Sequence, residues 1–179
     1  MMQHAPLFIV LLPVSAALLC MLFSRIQKNL GSWIVIGSIA AAFMSAVTVL
    51  QQVIADGGKP IHYWMGNWQP PLGIEFVIDP ISGVLAVLIT FISLLGSIYS
   101  LPFVKEEGWL HVGGYYTLYG LMTVGMCGMV ITGDVFNLYV FLEVMSLSGY
   151  GLIALGGKKS MLAAFRYLLI GTIGASLYL

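Results

Sequence analysis

The stretch Gly133–Gly157, GDVFNLYVFLEVMSLSGYGLIALGG, carries one carboxylate, Glu143, near the middle of an apolar run. A helix needs roughly 20 apolar residues to cross the hydrocarbon core of a bilayer. Asp134 opens the run, where a side-chain oxygen can accept from the first unpaired N–H groups of a helix. The stretch therefore reads as a membrane-spanning helix over about 134–156. A charge at the centre of such a helix costs about 2.5–3.5 kcal/mol on insertion scales, so Glu143 needs a reason to be there.

Composition extends this reading to the whole chain. Of 179 residues, 60% are hydrophobic and only 8% charged, and the mean hydropathy is +1.00. A soluble domain carries about 25% charged residues. The fold class is thus an all-α polytopic membrane protein, one membrane domain over 1–179. Five further apolar runs fall at about 5–24, 31–54, 80–104, 112–132 and 160–179, which makes about six transmembrane helices. The first has no basic leader and no A-x-A site, so it reads as a retained helix and not as a signal peptide. Pro13 in its middle is expected to kink it. Asp79 and Pro80 suit the cap and first position of the third helix. The sixth run is still apolar at Leu179, as expected of the N-terminal part of a longer protein or of a naturally split subunit.

The longest loop, 55–79, contains the β-like runs IHYW and IEFVI around the turn-forming NWQPPLG. It reads as a small hairpin on the membrane surface, with Tyr63, Trp64 and Trp68 as interfacial aromatics. Arg25, Lys28, Lys105, Lys158 and Lys159 lie in loops on one side, and Lys59 alone on the other. The positive-inside rule places the five in the cytoplasm and the N-terminus and hairpin outside, in a prokaryotic plasma membrane.

The net charge of +0 and the absence of a basic run argue against nucleic-acid binding. No dinucleotide, P-loop, metalloprotease or nucleophile-elbow motif is present. Cys20 and Cys127 lie in apolar runs without CxxC spacing, so neither a disulfide nor a metal framework is expected, and no cofactor. Glycines such as Gly120, Gly125 and Gly128 read as sites of close helix packing.

Four residues remain as site candidates. Desolvation favours protonated Glu143 and a nearby cation favours the ionised form, so a group held between these pulls suits a proton path. The bland alternative is a neutral acid joining two helices. Asp134 is a helix cap, with Asn137 able to reciprocate weakly, or else the mouth of an ion path. His111 opens the fourth helix as an interfacial residue or a proton entry. Arg166 lies about 9 Å into the sixth helix and Glu143 about 20 Å from the same face, which disfavours a direct pair without excluding it. Snorkelling to the interface is the alternative for Arg166. Lys105, Glu106 and Glu107 read as solvated loop, and His4 and His62 as exposed.

The residues WMGNWQPPLGIEFVIDPISGVLAVLI, GDVFNLYVFLEVMSLSGYGLIALG and AAFRYLLIGTIGASLYL together resemble the antiporter-like subunits of respiratory complex I, membrane-bound hydrogenases and multi-subunit Na+/H+ antiporters. The resemblance covers essentially the whole chain and looks closest to the D-type antiporter and hydrogenase-type members. It implies a proton-translocating subunit of roughly fourteen helices in two inverted repeats. Such a subunit works with other membrane subunits on protons and, in the antiporter members, sodium. The resemblance also implies that Glu143 is the helix-five glutamate of a half-channel, coupled to a lysine on a seventh helix outside this chain. Arg166 stands where many members carry lysine. Because arginine titrates far less readily, the departure suits a fixed electrostatic tuner.

Overall fold

In a bilayer core no water is available to backbone N–H and C=O groups, so a spanning segment must satisfy them within itself. A computed structural model, describing residues 4–27, 29–68, 73–104 and 109–178, shows the consequence. Six helices run Ala5–Ile26 (α1), Leu30–Ala55 (α2), Pro80–Val104 (α3), Trp109–Ile131 (α4), Val135–Ala154 (α5) and Lys158–Tyr178 (α6). All six contain a stretch long and apolar enough to cross a membrane. The protein is an all-α, multi-pass membrane protein with one small hairpin between α2 and α3. Helix α1 is continuous through Pro13.

Helices α1 to α4 form a ring, with α1 against α2 and α4, and α3 against the same two. Helix α5 packs on α4, and α6 on α5, so α6 buries the least of its surface. The inward faces mix small residues with apolar ones such as Ile9, Val35, Ile39 and Val49. That of α3 is mostly small and hydroxylated, with Ser82, Gly83, Ala86, Thr90, Ser93, Ser97 and Ser100 buried beside Leu101 and Val104, while Leu85, Leu88, Ile92 and Leu95 face outward. Lipid is as apolar as leucine, so close backbone approach, not burial of large side chains, holds such helices together. The buried hydroxyls donate to carbonyls one turn back, as from Thr90 to Ala86 at 2.7 Å and from Ser97 to Leu94 at 2.7 Å. Tyr116 bridges to α3 through the Ser100 hydroxyl at 3.0 Å.

The glycines of α4 do what their spacing suggests. A Cβ on Gly120 would stand 3.1 Å from that of Ala17, and one on Gly125 would stand 2.6 Å from the Met145 backbone nitrogen. Gly128 lies under the Phe141 ring. The two cysteines, Cys20 and Cys127, are buried and free.

The loop after α2 leaves the helix through Gly57 and Gly58, both at positive φ, with the Gly58 N–H reaching back to the Val53 carbonyl at 2.8 Å. Strands Ile61–Trp64 (β1) and Glu75–Ile78 (β2) then pair antiparallel, with Tyr63 opposite Phe76 and Trp64 opposite Glu75. The hairpin is docked on the bundle rather than resting loosely on a surface. Phe76 and Ile78 are fully buried in the core that α1, α2, α4 and α5 share. The Gly133 N–H donates to the Glu75 carbonyl at 2.9 Å, which ties β2 to the α4–α5 turn. Asp79 caps α3 reciprocally: its carboxylate accepts from the Ser82 N–H at 2.7 Å and its own N–H donates to the Ser82 hydroxyl at 2.8 Å. The residues 69–72 of the expected turn lie outside the described residues, as do Lys28, Lys105, Glu106 and Glu107.

Two histidines read as exposed and inert have partners. His4 Nδ1 meets the Tyr63 hydroxyl at 3.0 Å, which links the start of α1 to the hairpin. His62 Nδ1 lies 2.7 Å from Glu75, whose carboxylate also accepts from the Trp64 indole at 3.0 Å. The period of two in β1 puts His62 and Trp64 on the outer face and turns Ile61 and Tyr63 inward.

Gly125→Ala should lower stability by about 1–3 kcal/mol, the usual cost of overpacking, because the new methyl meets backbone that cannot yield. Gly37→Ala, where a Cβ meets nothing, should be neutral or slightly stabilising. Thermal unfolding of the two variants in detergent decides this. The hydrogen bond from His62 holds the Glu75 carboxyl below the ordinary glutamate range. Its contribution is therefore complete above about pH 4.3 and is lost as the pH falls through the depressed value. An acid titration of tryptophan emission should show the hairpin loosening in the native protein and no such step in Glu75→Gln.

Candidate carboxylate site between α5 and α6

Asp134 begins this region as the N-cap of α5, its Oδ1 accepting from the Phe136 N–H at 3.0 Å. Asn137 does not reciprocate. It is buried and donates instead to the Thr132 hydroxyl at 3.0 Å, which braces the α4–α5 turn.

Two faces of α5 can be assigned from its contacts. Phe141 covers Gly128, Met145 covers Gly125, and Gly151 meets Leu118, so these residues face α4. Tyr139 stacks on Tyr178 with centroids 6.3 Å apart and planes 9° apart, and Tyr150 lies over Gly171 and edge-on to Tyr167 at 4.9 Å, so these face α6. Glu143 is four residues after Tyr139 and seven before Tyr150, hence on the α6 side. It is half-buried. At 1.5 Å per residue it stands roughly 12 Å from Val135 and roughly 16 Å from Ala154, at the middle of the helix.

Glu143 thus sits in the α5–α6 seam between two tyrosine pairs, Tyr139–Tyr178 toward the hairpin end and Tyr150–Tyr167 toward the other. The Tyr139 hydroxyl is within electrostatic and hydrogen-bonding reach of its carboxylate. Beyond Tyr150 the seam opens into an apolar groove of about 330 Å³, lined by Leu147, Tyr150, Ala154, Ala164 and Phe165 among others. Sequence reasoning passed over the tyrosines. Their signal was there: phenols four residues before and seven after the carboxylate share its helical face.

Arg166 is not brought to Glu143. The buried residues of α6 are Ala164 and Ala175, which mark the face turned to α5. Arg166 follows Ala164 by two residues, or about 200° of helical turn, and is exposed on the far side. The contacts Tyr139–Tyr178 and Tyr150–Gly171 set the antiparallel register and put Glu143 near the level of Ala175. Arg166 is nine residues away from there, about 14 Å along the axis. The sequence left a long direct pair open, and the facing of α6 closes it. No cation pairs with Glu143 among the described residues.

His111 is also remote. It is half-buried in the first turn of α4, without a hydrogen-bond partner among the described residues. The contacts of α4 with α5 put Glu143 level with Cys127, sixteen residues and about 24 Å along the helix from His111. Among the described residues no three His, Cys, Asp or Glu side chains gather as a metal site would require.

No protein-family model matches the chain. It is 40% identical over 179 residues to the N subunit of the NADH-quinone oxidoreductase of Desulforudis audaxviator, covering all of this chain and 36% of that protein. It is 28% identical over 182 residues to the D-type subunit of the Na+/H+ antiporter of Alkalihalophilus pseudofirmus, covering 99% of this chain and 35% of that one. A chain of the membrane-bound sulfane sulfur reductase, an archaeal respiratory membrane complex, superposes with a TM-score of 0.88 at 29% identity, over 97% of this chain and 35% of its own. The chain therefore spans about a third of the length of the proteins it matches. Over that N-terminal third its homologues are antiporter-like membrane subunits of complex I and multi-subunit antiporter type.

Proposed function

We propose that this chain is the N-terminal part of a proton-translocating, antiporter-like subunit of roughly fourteen helices, and that Glu143 is its switchable carboxylate. The observation that carries the reading is the place of Glu143: mid-helix, half-buried, in the α5–α6 seam, with no cation beside it among the described residues. Desolvation favours the neutral form of a mid-helix carboxyl group, and a nearby positive charge or water favours the ionised one. That is the property a proton-loading site needs. The cation would come from a part of the protein or a partner that this chain does not contain, and its approach would couple proton movement to events in a neighbouring membrane subunit. The relatives named for NADH-quinone oxidoreduction and for sodium/proton antiport support a multi-subunit complex of one of these types, and the distribution of Lys and Arg favours the hairpin outside, in a prokaryotic plasma membrane.

Arg166 fits this scheme as a distant bias. The axial offset alone is about 14 Å and Arg166 faces away, so at an effective dielectric of about 20 its unit charge contributes at most about 1 kcal/mol, enough to tune a carboxylate and too little to bind it. Asp134 is assigned to capping and not to the mouth of a path, because its carboxylate is engaged by the Phe136 N–H. The rival reading is a subunit with no ion path of its own, in which Glu143 is a permanently neutral acid. The reach of the Tyr139 hydroxyl is what favours it, since one hydrogen bond can satisfy a neutral carboxyl group.

In the full-length subunit within its complex, Glu143→Gln should cut proton transport in inverted vesicles at least tenfold while assembly is kept, and undiminished transport would exclude the proposal. Asp134→Asn, which preserves the cap, should transport normally. Asp134→Ala should lower thermal stability by about 1 kcal/mol, in the range of a lost helix cap. A transport defect in Asp134→Asn would return Asp134 to the path.

A further inference from the structure

Glu143 has few neighbours that can serve it. The serine and threonine hydroxyls closest to it in α5 and α6 are already committed to their own helices. Ser146 donates to the Leu142 carbonyl at 2.7 Å and Ser148 to that of Val144 at 2.6 Å. Across the seam, Thr172 donates to Leu168 at 3.0 Å and Ser176 to Thr172 at 2.7 Å. The Tyr139 phenol makes no such bond to a backbone carbonyl among the described residues. It stands one turn from Glu143 on the same face, which is the spacing at which helical side chains meet. Its ring is also held from the other side, stacked nearly parallel on Tyr178 of α6.

We infer that Tyr139 is the positioning residue of Glu143, with its hydroxyl holding the carboxyl group in the α5–α6 seam through both protonation states and its ring anchored by Tyr178. This rests on the reading of Glu143 as a switchable carboxylate. The chemistry is specific to a hydroxyl. A phenol donates its proton to an ionised carboxylate, and it accepts from a protonated one through its oxygen lone pairs. A lysine or arginine has no lone pair with which to accept from the O–H of the protonated form. A partner that stays bonded in both states lets the carboxyl group change charge without swinging out of the seam. Aromatic residues near helix ends are also common as interfacial anchors, and in that role the ring matters and the hydroxyl does not have to touch Glu143.

The test is infrared difference spectroscopy between high and low pH on the assembled complex, with the Glu143 carbonyl band assigned by its absence in Glu143→Gln. Tyr139→Phe keeps the ring and removes the hydroxyl. The band of protonated Glu143 should move to higher frequency, as for a carboxyl group that loses a hydrogen bond. Tyr178→Phe, which keeps the stack, should leave it in place. If Tyr139→Phe does not assemble, 3-fluorotyrosine in place of Tyr139 retains the ring and makes the phenol oxygen a weaker acceptor, and the band should again move to higher frequency. A Glu143 band present in the native protein and unmoved by either change overturns the role of Tyr139 and leaves the proposed function standing. A native protein with no titrating Glu143 band overturns both.

Discussion

The demand that every backbone polar group be satisfied without water governs this protein. It forces six continuous helices, and it also decides how they meet. With lipid on the outside there is little gain in hiding leucine, and Gly, Ala, Ser and Thr recur on the inward faces beside Val and Ile. Helix α3 is the clearest case, with hydroxyls at Thr90, Ser93, Ser97 and Ser100 turned inward and leucines and isoleucines outward. Returning hydroxyl protons to their own helix lets these residues be buried without partners from elsewhere. Helix α4 uses glycine to the same end, and its contact with α5 at Gly125 and Gly128 is set by backbone approach.

That contact determines where Glu143 points. Once Phe141 and Met145 are seated on the glycines of α4, the rest of the helical period turns Tyr139, Glu143 and Tyr150 toward α6. The hairpin reinforces the arrangement from one end. Its strand β2 is bound to the α4–α5 turn through the Glu75 carbonyl, and the buried Phe76 ring lies 6.4 Å from that of Phe141, two residues before the carboxylate. The loop that looks peripheral in the chain is thus packed against the helix that carries the candidate site.

The electrostatic layout is asymmetric. One acid occupies the seam, and Arg166 of the neighbouring helix faces away from it. The Tyr139 phenol lies within hydrogen-bonding reach of Glu143, and Arg166 stands about 14 Å along the axis from its level.

Much of this was legible in the sequence. Six apolar runs, the Asp79 and Asp134 caps, the hairpin between the second and third helices and the packing role of the α4 glycines follow from local rules of length, capping and residue size. The singularity of Glu143 follows from composition alone, because a lone charge in an apolar run needs no neighbour to be noticed. What the chain order could not convey was azimuth. Glu143 and Arg166 lie on adjacent antiparallel helices at depths that left a pairing open, and only the seating of α5 on α4 and of α6 on Ala164 and Ala175 shows that Arg166 faces away. The same holds for the His4–Tyr63 and His62–Glu75 contacts and for the tyrosine pairs that bracket the carboxylate. Periodicity makes a helix amphipathic or not, but rotation about its axis is fixed by which small residues find a partner, and that is a property of two helices together.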